Sequence, residues 1–186
     1  MDFSAFSDGQ IKSKIWLCEK LEPYLPYNSK IAILGSWYNV LGFMLLNRRP
    51  NHYQLITGFD IDSKVKEYAD LLNAAYICYP NRLMENVTVD VNQIDINHYD
   101  CIINTSVEHM ESLEWFSKLN NKLVCIQSSN VIHSDEIWDI KNSNPTFDHF
   151  KNKFRCNETY FEGQLEFNYG HLAYNRYMII GQTNLF

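Results

Sequence analysis

The feature that most constrains the fold is an apolar run that ends directly in a glycine, within Lys30-Ile-Ala-Ile-Leu-Gly-Ser-Trp-Tyr-Asn-Val-Leu-Gly-Phe-Met-Leu-Leu46. The run at 31–34 is typical of a strand that is buried on both faces. Gly35 ends the run, and apolar residues then recur at helical spacing as far as Leu46. A strand, a turn that begins with glycine and a helix form the first unit of a mostly parallel α/β sheet. In such sheets, ligands bind at the carboxyl ends of the strands.

Length and composition predict one folded domain with a core. The chain has 186 residues, of which 46% are hydrophobic and 15% aromatic, so it can bury a substantial core. We expect a single domain over 1–186, with an N-terminal helical segment at 1–28 and an α/β core at 30–181. The net charge of −6 argues against a nucleic-acid partner, because phosphate contacts need clustered lysine and arginine.

The cysteines and the N-terminus favour a cytoplasmic protein. The five cysteines form no CxxC pair and have no histidine at metal-ligand spacing, so we predict no metal site. Cys101 and Cys125 lie within apolar runs and are expected in the core. The N-terminus lacks a basic segment followed by an apolar block, and no apolar run is long enough to span a membrane. We therefore expect a cytoplasmic location with reduced thiols and no membrane association. The oligomeric state is not predicted.

The rest of the chain alternates between strand and helix patterns. The first helix is expected to bury Ile11, Ile15, Trp16 and Leu21, and the last two strands are joined without a helix and must be antiparallel. Helices are predicted at 10–24, 38–48, 64–75, 107–119 and 146–154, and strands at 31–34, 55–62, 86–90, 99–104, 122–127, 159–167 and 174–181.

This pattern resembles the class I S-adenosylmethionine-dependent methyltransferases over about 30–181. The resemblance implies a three-layer, Rossmann-like α/β fold. Its seven-stranded sheet would be mostly parallel, with an antiparallel C-terminal strand inserted between the fifth and sixth strands. It also implies S-adenosylmethionine as cofactor and a small molecule, or another acceptor that is not a nucleic acid, as substrate.

The resemblance assigns cofactor-binding roles to residues at the ends of three strands. Gly35 stands in the place of the family's glycine-rich loop, with Trp37 or Tyr38 as a wall beside the cofactor. Asp60, in Gly58-Phe-Asp60-Ile-Asp62, is expected to bind the ribose hydroxyls, since a carboxylate accepts from both at once. Asp90 would face the adenine amino group.

The fourth strand and its following turn resemble the part of the family's site that faces the methyl group and the substrate. The motif is Tyr99-Asp-Cys-Ile-Ile-Asn104-Thr-Ser-Val-Glu108-His109. The resemblance places Asn104 beside the cofactor and the substrate. We expect His109 to act as a general base or a substrate anchor, with the Glu108 carboxylate holding the imidazole tautomer.

Plain structural roles are open for the same residues. Gly35 can be an ordinary turn that needs a positive φ, and Asp60 can be a turn carboxylate, although Asp62 caps the next helix better. An aspartate such as Asp90 is common after a strand, and Glu108 is favoured in a first helical turn whether or not it is catalytic.

Two other functions also remain open. The family's loop carries two or three glycines, whereas only Gly35 stands here, which favours a non-catalytic binding or scaffolding relative. A nicotinamide-dependent oxidoreductase would also explain Gly35 and Asp60, but the chain has no GxGxxG motif and no second domain for a substrate.

Overall fold

A computed structural model of the chain describes residues 2–78, 82–131, 139–170 and 173–183. Within them, seven strands form one sheet. The strands are β1 (Ser29–Leu34), β2 (Tyr53–Asp60), β3 (Met84–Thr88), β4 (Cys101–Asn104), β5 (Leu123–Ser129), β6 (Glu158–Asn168) and β7 (Ala173–Gln182). Their order across the sheet is β3-β2-β1-β4-β5-β7-β6.

Only β7 runs against the other strands. It pairs antiparallel with β5 on one side and with β6 on the other, whereas the pairs among β1 to β5 are all parallel. The predicted mostly parallel, seven-stranded sheet with an antiparallel C-terminal strand is therefore confirmed. Strand β1 lies in the middle, where Leu34 pairs with Phe59 of β2 and Asn104 of β4. The carboxyl ends of these three strands thus meet at one edge of the sheet.

Helices cover both faces of the sheet. In the described residues they are α1 (Asp8–Leu21), α2 (Val40–Arg48), α3 (Ser63–Leu72), α4 (Ala74–Ile77), α5 (Glu114–Ser117) and α6 (Phe147–Lys153). Ile31 and Ile33 of β1 pack with α1 and α2, whereas Ala32 and Leu34 pack on the opposite face against an aromatic cluster that includes Trp115. This alternation explains why the whole run is apolar. None of the described helices combines the length and apolarity needed to cross a bilayer.

The predicted helix at 107–119 is wrong. The structure has a single 3-10 turn, Val107–His109, then extended backbone at Met110 and the short helix α5. The backbone N–H groups of Lys141 and Asn142 donate to the Glu108 carbonyl, and the Asn142 amide donates to the Met110 carbonyl. Because these carbonyls are bound by a distant segment, they do not accept the bonds that would continue a helix.

The predicted buried stripe of α1 is also partly wrong. Leu21 is buried as expected, but Ile15 is 37% exposed, whereas Leu17 and Cys18 are fully buried. The helix therefore turns a different face to the protein. That face also carries Lys14, which is only 9% exposed.

Candidate active site

The loop after β1 is held in an unusual backbone conformation. Gly35, Trp37 and Asn39 all have positive φ, at 59°, 51° and 53°. Left-handed backbone is uncommon for a bulky residue such as tryptophan, so surrounding contacts must hold it. The N–H of Ser36 donates to the Phe59 carbonyl (2.9 Å), and that of Trp37 donates to the Asp60 carboxylate (2.8 Å). These bonds fix the loop on the end of β2.

Two glycines allow the loop to pack this closely. A Cβ on Gly35 would lie 2.8 Å from the Ser106 Cβ, and the Ser106 hydroxyl donates to the Gly35 carbonyl (3.0 Å). A Cβ on Gly58 would lie 2.5 Å from the Asn39 amide nitrogen. The loop after β1 therefore contacts both β2 and the turn after β4.

Asn39 anchors the loop after β1 to α2 and β3. Its side chain is fully buried, and its carbonyl oxygen caps α2 by accepting from the Gly42 N–H (3.3 Å). Its amide donates to Asn86 (2.9 Å), whose own amide donates to Asp70 (2.9 Å). Asparagine is one of the residues that adopt left-handed backbone most readily.

An open cavity of about 440 Å³ lies at this edge of the sheet; we call it the outer cavity. Its polar lining includes the carboxylates of Asp60 and Asp90 and the imidazole of His109, and Gly35 and Trp37 form one side. Its apolar wall consists of Phe59, Ile61, Val89, Val91 and Met110.

The Asp60 carboxylate is partly committed to the backbone. One oxygen accepts from the Trp37 N–H (2.8 Å) and the other from the Asp62 N–H (3.0 Å). Burial raises the pKa of Asp60, and these backbone bonds partly offset that rise. A carboxylate has about four acceptor positions, so each oxygen keeps capacity for one more donor.

Asp90 has a structural role and also lines the outer cavity. It caps the 3-10 turn Val91–Gln93 by accepting from the Asn92 N–H (2.9 Å). Asn92 in turn accepts from the Trp115 N–H (3.0 Å), which fixes the start of α5.

A second, more enclosed cavity of about 90 Å³ adjoins the first; we call it the inner cavity. The two cavities share Gly35, Trp37, Ser106 and His109 in their linings. The charged groups of the inner cavity are Lys14 of α1, Glu108 and Arg176 of β7.

A buried ion pair joins two of these groups. Arg176 donates to the Glu108 carboxylate at 2.8 Å, with the residues 7% and 2% exposed. The second carboxylate oxygen of Glu108 and the Nε of Arg176 have no hydrogen-bond partner among the described residues. Two buried polar atoms are thus left unsatisfied beside the inner cavity.

Lys14 is a second buried cation. Its Nζ donates to the Gln10 side-chain carbonyl (2.6 Å). Burial, together with the nearby positive charge of Arg176, lowers the pKa of Lys14 to about 7. The ammonium is thus unusually easy to deprotonate.

His109 is exposed and lines both cavities. Its Nδ1 lies 3.3 Å from the Asp139 carbonyl. A carbonyl can only accept, so this contact favours the tautomer with the proton on Nδ1 and leaves the Nε2 lone pair free.

Comparison with solved structures identifies the fold. The structure matches MccD protein with a TM-score of 0.70 and 9% identity, over 95% of this chain and 98% of the other. It matches the N-methyltransferase NodS from Bradyrhizobium japonicum WM9 with a TM-score of 0.65 and 10% identity, over 92% and 96%. It also matches geranyl diphosphate C-methyltransferase from Streptomyces coelicolor A3(2), solved with Mg²⁺, geranyl diphosphate and S-adenosylhomocysteine, with a TM-score of 0.68 and 8% identity, over 93% and 78%. The chain has the class I methyltransferase fold.

The comparisons show nothing finer than that fold. A scan of protein-family models and a search of curated proteins found no match. Among eight of the matching structures, sequence identity is only 7–12%. The site must therefore be argued from its own geometry.

The methyltransferase fold brings most of the predicted site residues together. Gly35, Trp37, Asp60, Asp90 and His109 all line the outer cavity.

Two predicted cofactor residues lie elsewhere. Tyr38 lines the inner cavity instead, and its hydroxyl accepts from the Asp2 N–H (2.7 Å). Asn104 is fully buried and, within the described structure, lines neither cavity. Its side-chain oxygen Oδ1 accepts from the backbone N–H of Ser106 (2.9 Å), so Asn104 shapes the turn that carries His109.

Glu108 lines the inner cavity but does not bond to His109 in the described structure. Its carboxylate binds Arg176, and the His109 Nδ1 faces the Asp139 carbonyl instead.

Lys14 and Arg176 were not predicted from the sequence. The sequence holds a signal for each of them. Lys14 lies on the same helical face as Leu17, Cys18 and Leu21, and Arg176 is a charged residue next to the apolar run Tyr177-Met-Ile-Ile180 of β7. A charge in a buried position is rare without a partner or a function.

Proposed function

We propose that the protein is an S-adenosylmethionine-dependent methyltransferase that acts on a small molecule. The observation that carries this proposal is the outer cavity in a class I methyltransferase fold. This cavity collects Asp60, Asp90 and His109 at or just beyond the carboxyl ends of β2, β3 and β4. Its volume of about 440 Å³ is within the usual range for small-molecule sites. The negative net charge supports a small molecule over a nucleic acid as acceptor.

The residues of the outer cavity fit the chemistry of the cofactor. The free acceptor capacity of Asp60 suits the two ribose hydroxyls, and Asp90 suits an adenine amino group. The apolar side chains of Val89, Val91 and Met110 would pack against the adenine ring. Trp37 would form the wall next to the inner cavity, replacing the close backbone approach that a glycine-rich loop gives.

His109 is the proposed general base. When bound, S-adenosylmethionine would supply an electrophilic methyl group, with its sulfur as the leaving atom and S-adenosylhomocysteine as the product. The site must therefore align the acceptor atom with that methyl group. As the acceptor atom forms its bond to the methyl carbon, the free Nε2 of His109 would accept the proton that the acceptor loses. The Asp139 carbonyl would hold the imidazole in the tautomer that makes this possible.

The nicotinamide alternative is less consistent with the sheet. The dinucleotide-binding order is 3-2-1-4-5-6 with parallel strands, whereas here the antiparallel β7 lies between β5 and β6. A non-catalytic relative remains the second candidate, because two of the three left-handed residues in the loop after β1 are not glycine.

Turnover of wild type and His109→Asn tests the proposal. The protein would be incubated with S-adenosylmethionine and a panel of small acceptors, and S-adenosylhomocysteine would be measured. We expect wild-type turnover with at least one acceptor, and a fall of about 10²–10⁴-fold in kcat for His109→Asn with cofactor affinity unchanged.

The control is His149→Asn, which removes an exposed imidazole from α6. It should leave turnover unchanged. Equal turnover for His109→Asn and wild type would contradict the role of His109 as base.

A further inference from the structure

The inner cavity holds an unbalanced set of buried charges. Lys14 and Arg176 are cations, and Glu108 is the one carboxylate among the described residues that line this cavity. All three residues are at least nine-tenths buried. With Lys14 protonated, the group carries one net positive charge away from solvent, and such a charge is unfavourable unless an anion pairs with it.

Both cations have unused capacity for hydrogen bonds. The Nε of Arg176 has no partner among the described residues, and the bond that the Lys14 Nζ makes there is to the neutral carbonyl of Gln10. An ammonium has three donors and a guanidinium has five. The cavity can therefore donate several charge-assisted hydrogen bonds to a ligand.

Charge and size both favour a carboxylate as that ligand. A single negative charge balances the net charge of the three groups, whereas a phosphate dianion would exceed it. A carboxylate also fits the planar guanidinium, which can donate two parallel bonds to it. The cavity volume of about 90 Å³ suits a carboxylate with a short carbon chain rather than a larger group.

The position of the cations favours the methyl acceptor as the source of the carboxylate. Asp60 lies at the end of β2, on one side of β4, whereas Arg176 lies on β7, beyond β5 on the other side. His109 follows β4 and lines both cavities. An acceptor in the inner cavity would thus meet the cofactor at the shared wall, next to the proposed base.

We propose that the inner cavity binds the carboxylate of the methyl acceptor through Lys14 and Arg176. The substrate is then a small carboxylic acid. This inference rests on the proposed function. The lowered pKa of Lys14 agrees with it, because a bound anion would restore the charged form of an ammonium that burial disfavours.

The test uses propionate as probe and propionamide as its neutral match, titrated into protein saturated with S-adenosylhomocysteine and followed by NMR. We expect propionate to bind, and propionamide to bind much more weakly. Lys14→Met should weaken propionate binding roughly tenfold or more, as expected when a charge-assisted bond is lost. Lys14→Arg should recover part of it. Lys12→Met, which removes an exposed lysine from the same helix, should have no effect.

The affinity for S-adenosylhomocysteine distinguishes the two sources of the carboxylate. It should be equal in wild type and Lys14→Met. A second ligand, 5′-methylthioadenosine, lacks the amino-acid carboxylate. If Lys14→Met weakens the binding of S-adenosylhomocysteine but not that of 5′-methylthioadenosine, the assignment to the acceptor is overturned and the site belongs to the cofactor.

Two further outcomes would separate this inference from the proposed function. If S-adenosylhomocysteine binds but propionate does not, only the carboxylate site is overturned. If S-adenosylhomocysteine does not bind at all, the proposed function fails, and the assignment to a methyl acceptor fails with it.

Discussion

At the scale of single residues, Lys14 is the side chain whose charge should influence stability most. Burial and the charge of Arg176 lower its pKa from the ordinary value of 10.5 to about 7, with the Cys18 thiol acting in the opposite direction. Below about pH 7, the lysine is protonated in both the folded and the unfolded chain. The folded chain then carries the full free-energy cost of a buried ammonium close to Arg176. Between about pH 7 and 10.5, the unfolded chain binds more protons, so the free energy of unfolding rises with pH.

We therefore predict that Lys14→Met is more stable than wild type at pH 6 and that this advantage shrinks towards pH 9. The difference between the ordinary and the lowered pKa of Lys14 sets the upper bound of this stability gain. At about 1.36 kcal/mol per pKa unit, the bound is roughly 5 kcal/mol. Chemical denaturation at several pH values, in buffers without carboxylates, measures it. Lys12→Met, from the exposed face of α1, should change stability by less than about 0.5 kcal/mol at either pH. A difference between Lys14→Met and wild type that does not vary with pH would contradict the lowered pKa.

The residues at the strand ends could be predicted from sequence, whereas the buried cations could not. Asp60, Asp90 and His109 follow apolar strands, and the carboxyl ends of parallel strands meet at one edge of a sheet. The environment of Lys14 depends on which face of α1 packs against the sheet. Ile11, Ile15 and Trp16 suggested another face, and a contact between α1 and β7 spans more than 150 residues of sequence.

At the scale of elements, the loop after β1 depends on Gly35 for two separate reasons. Its φ is +59°, and an added Cβ would lie 2.8 Å from the Ser106 Cβ. Gly170 has only the first property, since its φ is +80° and no atom of the described residues lies within 4 Å of an added Cβ.

Comparison of Gly35→Ala with Gly170→Ala should isolate the contact with Ser106. We expect Gly170→Ala to lower the free energy of unfolding by about 1 kcal/mol from backbone strain alone. Gly35→Ala should lower it by about 2–4 kcal/mol, because overpacking adds to that strain. Denaturant unfolding measures both, and equal losses would show that the close approach of the two segments does not contribute.

The turn after β4 shows what local sequence leaves undetermined. The pattern at 107–119 favours a helix, yet the chain forms one 3-10 turn and then continues extended. The reason is a set of hydrogen bonds from Lys141 and Asn142 to the carbonyls of this turn. These two residues are too distant in sequence to be considered when a helix is predicted from neighbouring residues. This departure matters for the site, because the interrupted helix leaves His109 and Met110 in the wall of the outer cavity.

At the scale of the whole molecule, the sheet could be predicted because the residue pattern of its central strands indicates burial and the connection of its last two strands fixes their direction. The runs in β1, β4 and β5 are apolar on both faces, and the final two strands are joined without a helix. The single-domain organisation and the cytoplasmic location stay predictions. The fold determines where a site must lie, but the acceptor depends on the charges of the inner cavity.

Titration calorimetry with S-adenosylhomocysteine tests the central claim most directly, on wild type, Asp60→Ala and Asp62→Ala. Asp62 is the matched control, because it is an exposed carboxylate two residues away that caps α3. We predict that wild type binds one ligand per chain and that Asp60→Ala loses about 1–3 kcal/mol of binding free energy, as for lost bonds to a charged acceptor. Asp62→Ala should bind like wild type. The absence of binding to wild type would contradict the proposed cofactor site, and equal affinities for wild type and Asp60→Ala would remove Asp60 from it.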